Sequence, residues 1–109
     1  MQETYIEEIL KELTLEEKIG MIHGAGLFRT EGVERLSIPP LYMSDGPMGV
    51  RAEFADNEWR NVGTTEDYVT YLPCNSAIAS TWNRALAKKA GEVLGEEARG
   101  RGKDVILAP

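Results

Sequence analysis

Residues 81–108, TWNRALAKKAGEVLGEEARGRGKDVILA, decide the fold class, because a helical pattern passes there directly into a strand pattern. Apolar residues recur at three- and four-residue spacing, which predicts a helix over residues 82–99. Thr81 is the predicted cap of this helix, and Trp82 lies on its apolar stripe, where we expect it to be core. The continuous apolar run in residues 104–108 predicts a buried strand. A helix that leads into a buried strand is typical of an α/β fold.

Two further strands are predicted upstream of this helix. The apolar run 41–43 follows two prolines, which forbid a helix, and is short enough to be a buried strand. A second short strand is predicted at residues 77–79. Between them, residues 52–71 are polar and irregular, which predicts a long loop. The resulting order of strand, long loop, strand, helix and strand favours an α/β arrangement of parallel strands that are covered on both faces.

The N-terminal part of the sequence, residues 4–23, predicts two leader helices. The first is amphipathic, with glutamates between its apolar positions. Thr14-Leu15-Glu16-Glu17 has the pattern of a capping box, in which Thr14 and Glu17 satisfy each other's backbone N–H groups. In the second helix, Leu15, Ile19 and Ile22 are expected to point inward.

Composition excludes several classes of function. The chain has 109 residues, enough for one ordinary domain, and its 12 Lys and Arg against 18 Asp and Glu give a net charge of −6. This balance is unfavourable for binding nucleic acid or an anionic membrane surface. No apolar run is long enough to span a membrane, and no secretory signal is evident. With a single cysteine, Cys74, the expected location is the cytoplasm.

Asp45 is the leading candidate for a functional residue, because it follows an apolar strand at the end where α/β folds place ligand-binding groups. Its carboxylate could accept hydrogen bonds from the vicinal hydroxyls of a sugar, or it could bond its own backbone in a turn. The residues alone leave these two roles equally open. Arg51 could extend the same site or form a surface ion pair. Arg99 could point into a site or only complement the helix C-terminus.

Other candidates are weaker. His23 has no motif partner, and we expect it to be structural. One histidine and one cysteine give no metal-ligand spacing, and Gly24-Ala25-Gly26 lacks the third glycine and the preceding strand of a dinucleotide-binding loop. The sequence therefore predicts neither a metal nor a cofactor. Trp59 lies in the polar loop, where its indole face could stack on a sugar ring.

Four segments, in this order, resemble landmarks of family 3 glycoside hydrolases, the β-glucosidase family. The resemblance implies that residues 1–109 are the N-terminal portion of a TIM-type (β/α)8 barrel, which is incomplete in this chain. The implied layout is leader helices at 4–23, first strands and a substrate loop at 40–51, a helix at 82–99 and a strand at 104–108. The four segments are residues 13–20 (LTLEEKIG), 43–51 (MSDGPMGVR), 79–83 (ASTWN) and 95–109 (GEEARGRGKDVILAP).

The resemblance also implies a function. Family members are retaining, exo-acting β-glycosidases that hydrolyse O-glycosidic bonds in carbohydrate metabolism. By the same resemblance, Asp45 and Arg99 contact the terminal sugar and Arg51 supports that pocket. The family's nucleophile and acid/base residues come later in the barrel or from a second domain, so this chain should hold no catalytic residue and be inactive alone. The implied partners are a β-glucoside or related sugar and the rest of the barrel or a partner chain. The alternative is a non-catalytic fragment, or a module for sugar binding or association.

Overall fold

The computed structural model describes residues 2–55, 57–60, 62 and 69–107. They belong to two compact units, Met1–Leu41 and Tyr42–Pro109. The first unit holds helix α1 (Gln2–Glu12), helix α2 (Leu15–Met21) and a 3-10 turn (Glu34–Leu36). The second holds strand β1 (Met43–Ser44), helix α3 (Asn75–Ser80), helix α4 (Arg84–Gly100) and strand β2 (Val105–Ile106). Among the described residues, the helices lack the length and hydropathy that crossing a membrane would require.

The predicted capping box is present at the start of α2. Thr14 Oγ1 accepts a hydrogen bond from the Glu17 backbone N–H at 3.2 Å, and the Thr14 N–H donates to Glu17 Oε2 at 2.8 Å. Glu17 also forms an ion pair with Arg35 at 2.5 Å, and Arg35 donates to the Glu12 carbonyl at 2.8 Å. The Arg35 guanidinium, aided by the Thr14 N–H, lowers the pKa of Glu17 to about 2. One carboxylate therefore links α2 to the 3-10 turn.

The apolar face of α2 is exposed, contrary to the inward orientation that the sequence predicts. Leu15, Ile19 and Ile22 all lie on the surface of the chain. The buried apolar residues of this unit include Leu13, just before the capping box, and Val33, just before the 3-10 turn. The prediction was wrong because periodicity shows which face of a helix is apolar but not whether another element covers it.

The second unit contains a parallel pair of strands joined through α3 and α4. Met43 of β1 is in register with Val105 of β2, and Ser44 is in register with Ile106. The Leu107 N–H donates to the Ser44 carbonyl at 2.6 Å, which extends the pairing past β2. Helix α4 contacts both α3 and β2. The described residues thus form the α/β arrangement that the sequence predicts, but with a parallel sheet of two strands and a helix in place of the second predicted strand.

Residues 77–79, predicted as a strand, belong to helix α3 instead. A short apolar run fits a buried helix segment as well as a strand, and this run has two alanines and no aromatic residue to favour the strand. Cys74 occupies the N-cap position, one residue after Pro73, and has the extended backbone expected there.

The start of α4 also differs from the prediction. Asn83 caps the helix, with its Oδ1 accepting from the Leu86 N–H at 3.1 Å. Thr81 instead donates its hydroxyl to the Ile78 carbonyl at 2.7 Å, at the end of α3. Trp82 links the two helices with a φ of 51°, and it is 94% exposed rather than core. The predicted helix begins at residue 82, whereas α4 begins at Arg84. The two extra residues belong to the connection between α3 and α4.

Both strands are shorter and more exposed than predicted. The run 41–43 is replaced by β1 at Met43–Ser44, with Leu41 and Tyr42 exposed. Val105 and Leu107 are exposed as well, and Ala108, the last residue of the predicted strand 104–108, lies outside the described residues. A parallel strand is buried when neighbours and helices cover it. In the described part of the chain the sheet has only β1 and β2, which leaves these side chains accessible.

The described parts of residues 52–71 contain no helix or strand, as the prediction of a long loop requires. The loop nevertheless has internal backbone hydrogen bonds. The Ala55 N–H donates to the Arg60 carbonyl at 3.0 Å, and the Val62 N–H donates to the Glu53 carbonyl at 3.1 Å. These bonds fold the first half of the loop back on itself.

Candidate functional site

The site loop, residues 45–51, begins directly after β1 and depends on two glycines. Gly46 and Gly49 have φ values of 119° and 131°, in the region that side chains rarely adopt. A Cβ at Gly46 would overlap the Gly49 carbonyl oxygen, and a Cβ at Gly49 would lie 2.5 Å from the Thr70 oxygen. The Gly49 N–H donates to the Gly46 carbonyl at 3.2 Å. The turn is therefore tight enough that only glycine fits at either position.

This turn brings Asp45 and Arg51 together. Asp45 Oδ1 lies 2.5 Å from Arg51 Nε, and the Arg51 backbone N–H donates to the Asp45 carbonyl at 3.2 Å. The Asp45 side chain is 42% exposed, whereas that of Arg51 is 19% exposed. The Arg51 guanidinium therefore lies on the more buried side of the pair, and the Asp45 carboxylate remains accessible to solvent. An oriented carboxylate of this kind can accept hydrogen bonds from a polar ligand.

Arg51 has further contacts that restrict its side chain. Its Nη1 donates to the Ala52 carbonyl at 2.9 Å, and its guanidinium lies 4.7 Å from the centroid of the Phe54 ring. The edge of Phe54 packs on Trp59, with 5.3 Å between ring centroids. Trp59, which the sequence suggests as a sugar-stacking residue, is mostly exposed and continues this stack. A sugar contact at Trp59 stays a prediction.

Arg99 lies at a different position from the Asp45–Arg51 pair. Its Nη1 is 3.4 Å from Asp104 Oδ1, and its side chain is 78% exposed. The other Asp104 oxygen accepts from the Tyr42 N–H at 3.0 Å. The interaction that the structure gives Arg99 is therefore with the residue that precedes β2. The role of Arg99 in sugar binding stays a prediction.

Two cations after α4 contact the segment around Arg51, and sequence reasoning missed both. Arg101 Nη1 donates to the Arg51 carbonyl at 2.8 Å and to the Val50 carbonyl at 3.3 Å. Lys103 Nζ forms an ion pair with Glu53 at 2.8 Å, and both side chains are largely buried. Each contact joins residues that are 50 or 51 positions apart, so no local pattern could have revealed it.

Glu97 anchors the far side of the site loop from within α4. Both of its carboxylate oxygens accept from the Thr70 N–H, at 3.1 and 2.9 Å, and Oε1 also accepts from the Thr70 hydroxyl at 2.7 Å. Thr70 is the residue whose carbonyl approaches Gly49. The Leu72 N–H, two residues on, donates to the Met48 carbonyl at 2.9 Å. Helix α4 therefore holds the chain segment that borders the glycine turn.

A cavity of about 280 Å³ lies beside the site loop and is lined by residues 46–50 and 69–71. Complete small-molecule sites usually enclose about 300–1,000 Å³. The cavity is therefore slightly smaller than a complete site. Its lining comes from the glycine turn on one side and from the segment held by Glu97 on the other.

Metal-ligating and nucleophilic side chains do not form a second centre in the described ranges. No group of three or more His, Cys, Asp or Glu residues is close enough to hold a metal ion among the residues that the structure describes. His23 Nδ1 lies 2.9 Å from the Gly24 carbonyl. Cys74 is exposed, and hydrogen bonds from the Ser76 hydroxyl and the Ala77 N–H lower its pKa.

Comparisons with known sequences find relatives over almost the whole chain. A β-glucosidase of Bacteroides ovatus, BoGH3A, is 46% identical over 107 residues, which cover 98% of this chain and 14% of that protein. The thermostable β-glucosidase B of Acetivibrio thermocellus is 36% identical over 104 residues, or 95% of this chain and 14% of that protein. No family model matches. The chain therefore spans about one-seventh of the curated relatives it matches.

Solved structures give the same result. β-Glucosidase 3B of Thermotoga neapolitana, in complex with glucose, has a TM-score of 0.79 and 36% identity, with 95% of this chain and 16% of that chain covered. The glucose complex of a Kluyveromyces marxianus β-glucosidase has a TM-score of 0.77 and 33% identity, with coverage of 95% and 12%. At these identities the similarity extends beyond the fold to the sequence.

Proposed function

We propose that this chain, which corresponds to a segment of the family 3 β-glucosidases, supplies part of the terminal-sugar subsite of a retaining, exo-acting β-glycosidase. The observation that carries the proposal is the Asp45–Arg51 ion pair, which leaves the Asp45 carboxylate accessible at the start of the site loop, whose following residues line a small cavity. Two of the similar solved structures are glucose complexes, which supports a sugar as the ligand.

The chemistry of the pair suits a sugar. A carboxylate can accept hydrogen bonds from two neighbouring hydroxyls, and a sugar ring presents such hydroxyls in a fixed geometry. Arg51, held by Phe54 and the Ala52 carbonyl, keeps the carboxylate oriented before the ligand arrives. Orientation of this kind reduces the entropic cost of binding. Arg99 is proposed as a further sugar contact, on the family resemblance alone.

The proposed chemical step needs residues beyond Asp45. Retaining hydrolysis requires two carboxyl groups about 5 Å apart, one as nucleophile and one as proton donor. Asp45 is engaged with Arg51, and we propose it as a binding residue rather than the catalyst. We therefore propose that the remainder of a TIM-type barrel, or a partner chain, supplies the nucleophile and the acid/base residue. A complete barrel has about 250 residues and places its active site at the C-terminal ends of its strands, where Asp45 follows β1.

Hydrolysis of this kind uses neither a metal nor a nucleotide, so we propose no cofactor. For the cellular location we propose the cytoplasm. An exposed, unpaired Cys74 supports this location, because free thiols persist in reducing compartments.

Calorimetric titration with glucono-δ-lactone at millimolar concentration tests the sugar-binding proposal. We expect saturable binding by the chain and at least tenfold weaker binding by Asp45→Asn, because a hydrogen bond to a charged group contributes about 1.5–3 kcal/mol. Glu58→Gln is the matched control, since Glu58 is an exposed carboxylate that pairs with Arg60. Absence of saturable binding, or equal binding by Asp45→Asn, would contradict the proposal.

A second assay tests the incomplete catalytic site. The isolated chain should not hydrolyse an aryl β-glucoside. Hydrolysis that Asp45→Ala abolishes would show that the segment contains a complete active site, and that part of the proposal would then be wrong.

An association module is the second candidate function, and the exposure of Val105 and Leu107 favours it. A two-stranded parallel sheet with accessible apolar residues can pair with another chain through its edges. Sedimentation velocity separates the candidates. Concentration-dependent dimers would support association, whereas a monomer at the highest soluble concentration would exclude it.

A further inference from the structure

The backbone on both sides of the Arg51 Cα is held by a single side chain. Arg101 Nη1 donates to the Val50 carbonyl at 3.3 Å and to the Arg51 carbonyl at 2.8 Å. The first carbonyl belongs to the peptide plane before the Arg51 Cα, and the second belongs to the plane after it. Because φ and ψ are the rotations of these two planes about the Cα, fixing both planes fixes the backbone of Arg51.

Fixing the Arg51 backbone also fixes the direction of its side chain. The Cα–Cβ direction follows from the backbone, and rotamers restrict the atoms beyond it. The Arg51 Nε must reach Asp45 Oδ1, six residues back, across the glycine turn. A change in the backbone direction at Arg51 would move Nε away from the carboxylate.

Neighbouring contacts strengthen this arrangement. Val50, whose carbonyl Arg101 holds, is 2% exposed, so that carbonyl has little access to water as an alternative partner. Lys103 fixes Glu53 by a largely buried ion pair at 2.8 Å. Arg101 and Lys103 thus bind successive parts of one segment, residues 50–53, from the turn that follows α4.

We propose that Arg101 is a positioning residue that fixes the two peptide planes flanking Arg51 and thereby holds the Asp45–Arg51 ion pair in its binding geometry. Arg101 need not touch the ligand for this role. Its consequence for sugar affinity rests on the proposed function, but its effect on Arg51 does not. A single nitrogen makes both bonds, so a lysine at position 101 can replace it in part, whereas a methionine cannot.

Nitrogen-15 NMR of the chain tests the positioning directly through the Nε–H group of Arg51. In the unmodified chain this proton should exchange slowly with solvent, since Nε is buried and lies 2.5 Å from Asp45 Oδ1. Arg101→Met should raise its exchange rate by at least about tenfold, which corresponds to the loss of one net hydrogen bond. Arg101→Lys should stay within about threefold of the unmodified chain, because its ammonium can donate to one of the same carbonyls.

Lys88→Met is the matched control, because Lys88 is an exposed cation on α4 that pairs only weakly with Glu92. It should leave the Arg51 Nε–H unchanged. If Arg101→Met does not fold, Arg101→Gln takes its place, since glutamine keeps a polar group but is too short to reach both carbonyls. A folded Arg101→Met or Arg101→Gln chain with the exchange rate of Arg101→Lys would overturn the proposal.

Glucono-δ-lactone titration of the same variants separates the two proposals. Arg101→Met should weaken binding by about fivefold or more, as expected when an ion pair loses its preorganisation. If the unmodified chain binds no lactone, the proposed function fails while the Arg51 exchange rates still decide the role of Arg101. If the chain binds lactone and Arg101→Met changes neither affinity nor exchange, the positioning role fails and the proposed function stands.

Discussion

The two units of this chain are stabilised by contacts of very different range. In the first unit, the capping box joins residues three positions apart, and the Glu17–Arg35 pair joins residues 18 apart. In the second unit, Arg101 and Lys103 each bind residues 50 positions away. The Tyr42 N–H reaches Asp104 across 62 positions.

This difference explains where the candidate site can form. Local contacts define a helix start, but they do not bring distant polar groups together. The site loop follows β1 and is fixed by charged residues in and after α4, so its geometry depends on the folding of the whole second unit. The contacts of the capping box, by comparison, join residues of the first unit.

The largest expected effect comes from the glycine turn of the second unit. Gly46→Ala should lower the free energy of unfolding by roughly 3 kcal/mol, because alanine is strained at positive φ and its Cβ overlaps the Gly49 carbonyl. Gly95→Ala is the control, since no atom beyond its chain neighbours and the surrounding helix backbone lies within 4 Å of its Cβ position on α4. The free energy of unfolding of that variant should rise by about 0.5–1 kcal/mol, because alanine has a higher helix propensity than glycine. Urea denaturation measures both, and equal effects would contradict the account of the turn.

The next effect comes from the Lys103–Glu53 ion pair. Lys103→Met should lower the free energy of unfolding by about 2 kcal/mol, because Glu53 is left largely buried without its charge partner. Lys88→Met, in a well-exposed pair with Glu92, should cost no more than about 0.5 kcal/mol. Chemical denaturation followed by tryptophan fluorescence compares the two variants. If Lys103→Met lowers the free energy of unfolding as little as Lys88→Met does, the Lys103–Glu53 pair does not stabilise the second unit as expected.

A smaller effect, confined to the first unit, is expected from the capping box. Thr14→Ala should destabilise α2 by about 1 kcal/mol through the loss of its N-cap hydroxyl. Hydrogen exchange of individual amides measures where the loss occurs. The amides of α2 should exchange faster, while those of the site loop keep their rates. Equal acceleration in residues 45–51 would contradict a loss that is local to the cap.

The smallest effect is the pH dependence of the Glu17–Arg35 pair. The pKa of Glu17 in the folded chain is lowered to about 2 from an ordinary 4.5. The contribution of the ionised carboxylate to stability is therefore fully present above pH 4.5 and is lost as the pH falls toward 2. Glu17→Gln should therefore exchange faster than the unmodified chain in the amides of α2 at pH 6. The difference should shrink between pH 4.5 and pH 2, and a difference that persists at pH 2 would contradict the assignment.

Local features were the most predictable part of the fold. The capping box was predicted correctly, because four consecutive residues determine it. Helix α4 lies where the apolar spacing indicates a helix, although Asn83 rather than Thr81 caps it. Residues 77–79 were assigned wrongly, since a three-residue apolar run carries no period. The prediction that Trp82 belongs to the core was wrong, because helical spacing cannot show that the chain changes direction at that residue.

The candidate site was only partly predictable, for a related reason. Asp45 and Arg51 lie within one glycine-containing motif, and the structure brings them together. No sequence pattern indicates the contacts of Arg101 and Lys103, because an arginine or lysine near the end of a helix normally faces solvent or interacts with the helix dipole. Glu97 had no local signal either, because its contact is with Thr70, 27 positions away. Contacts between distant residues require the topology to be known first.

The most direct test of the central claim, that the site loop binds the terminal sugar, is an NMR titration of the chain with D-glucose. We expect saturable shifts that concentrate at the amides of residues 45–51 and at the Arg51 Nε–H, and that disappear in Asp45→Asn. Shifts that do not saturate, that lie mainly in the first unit, or that persist in Asp45→Asn would contradict it.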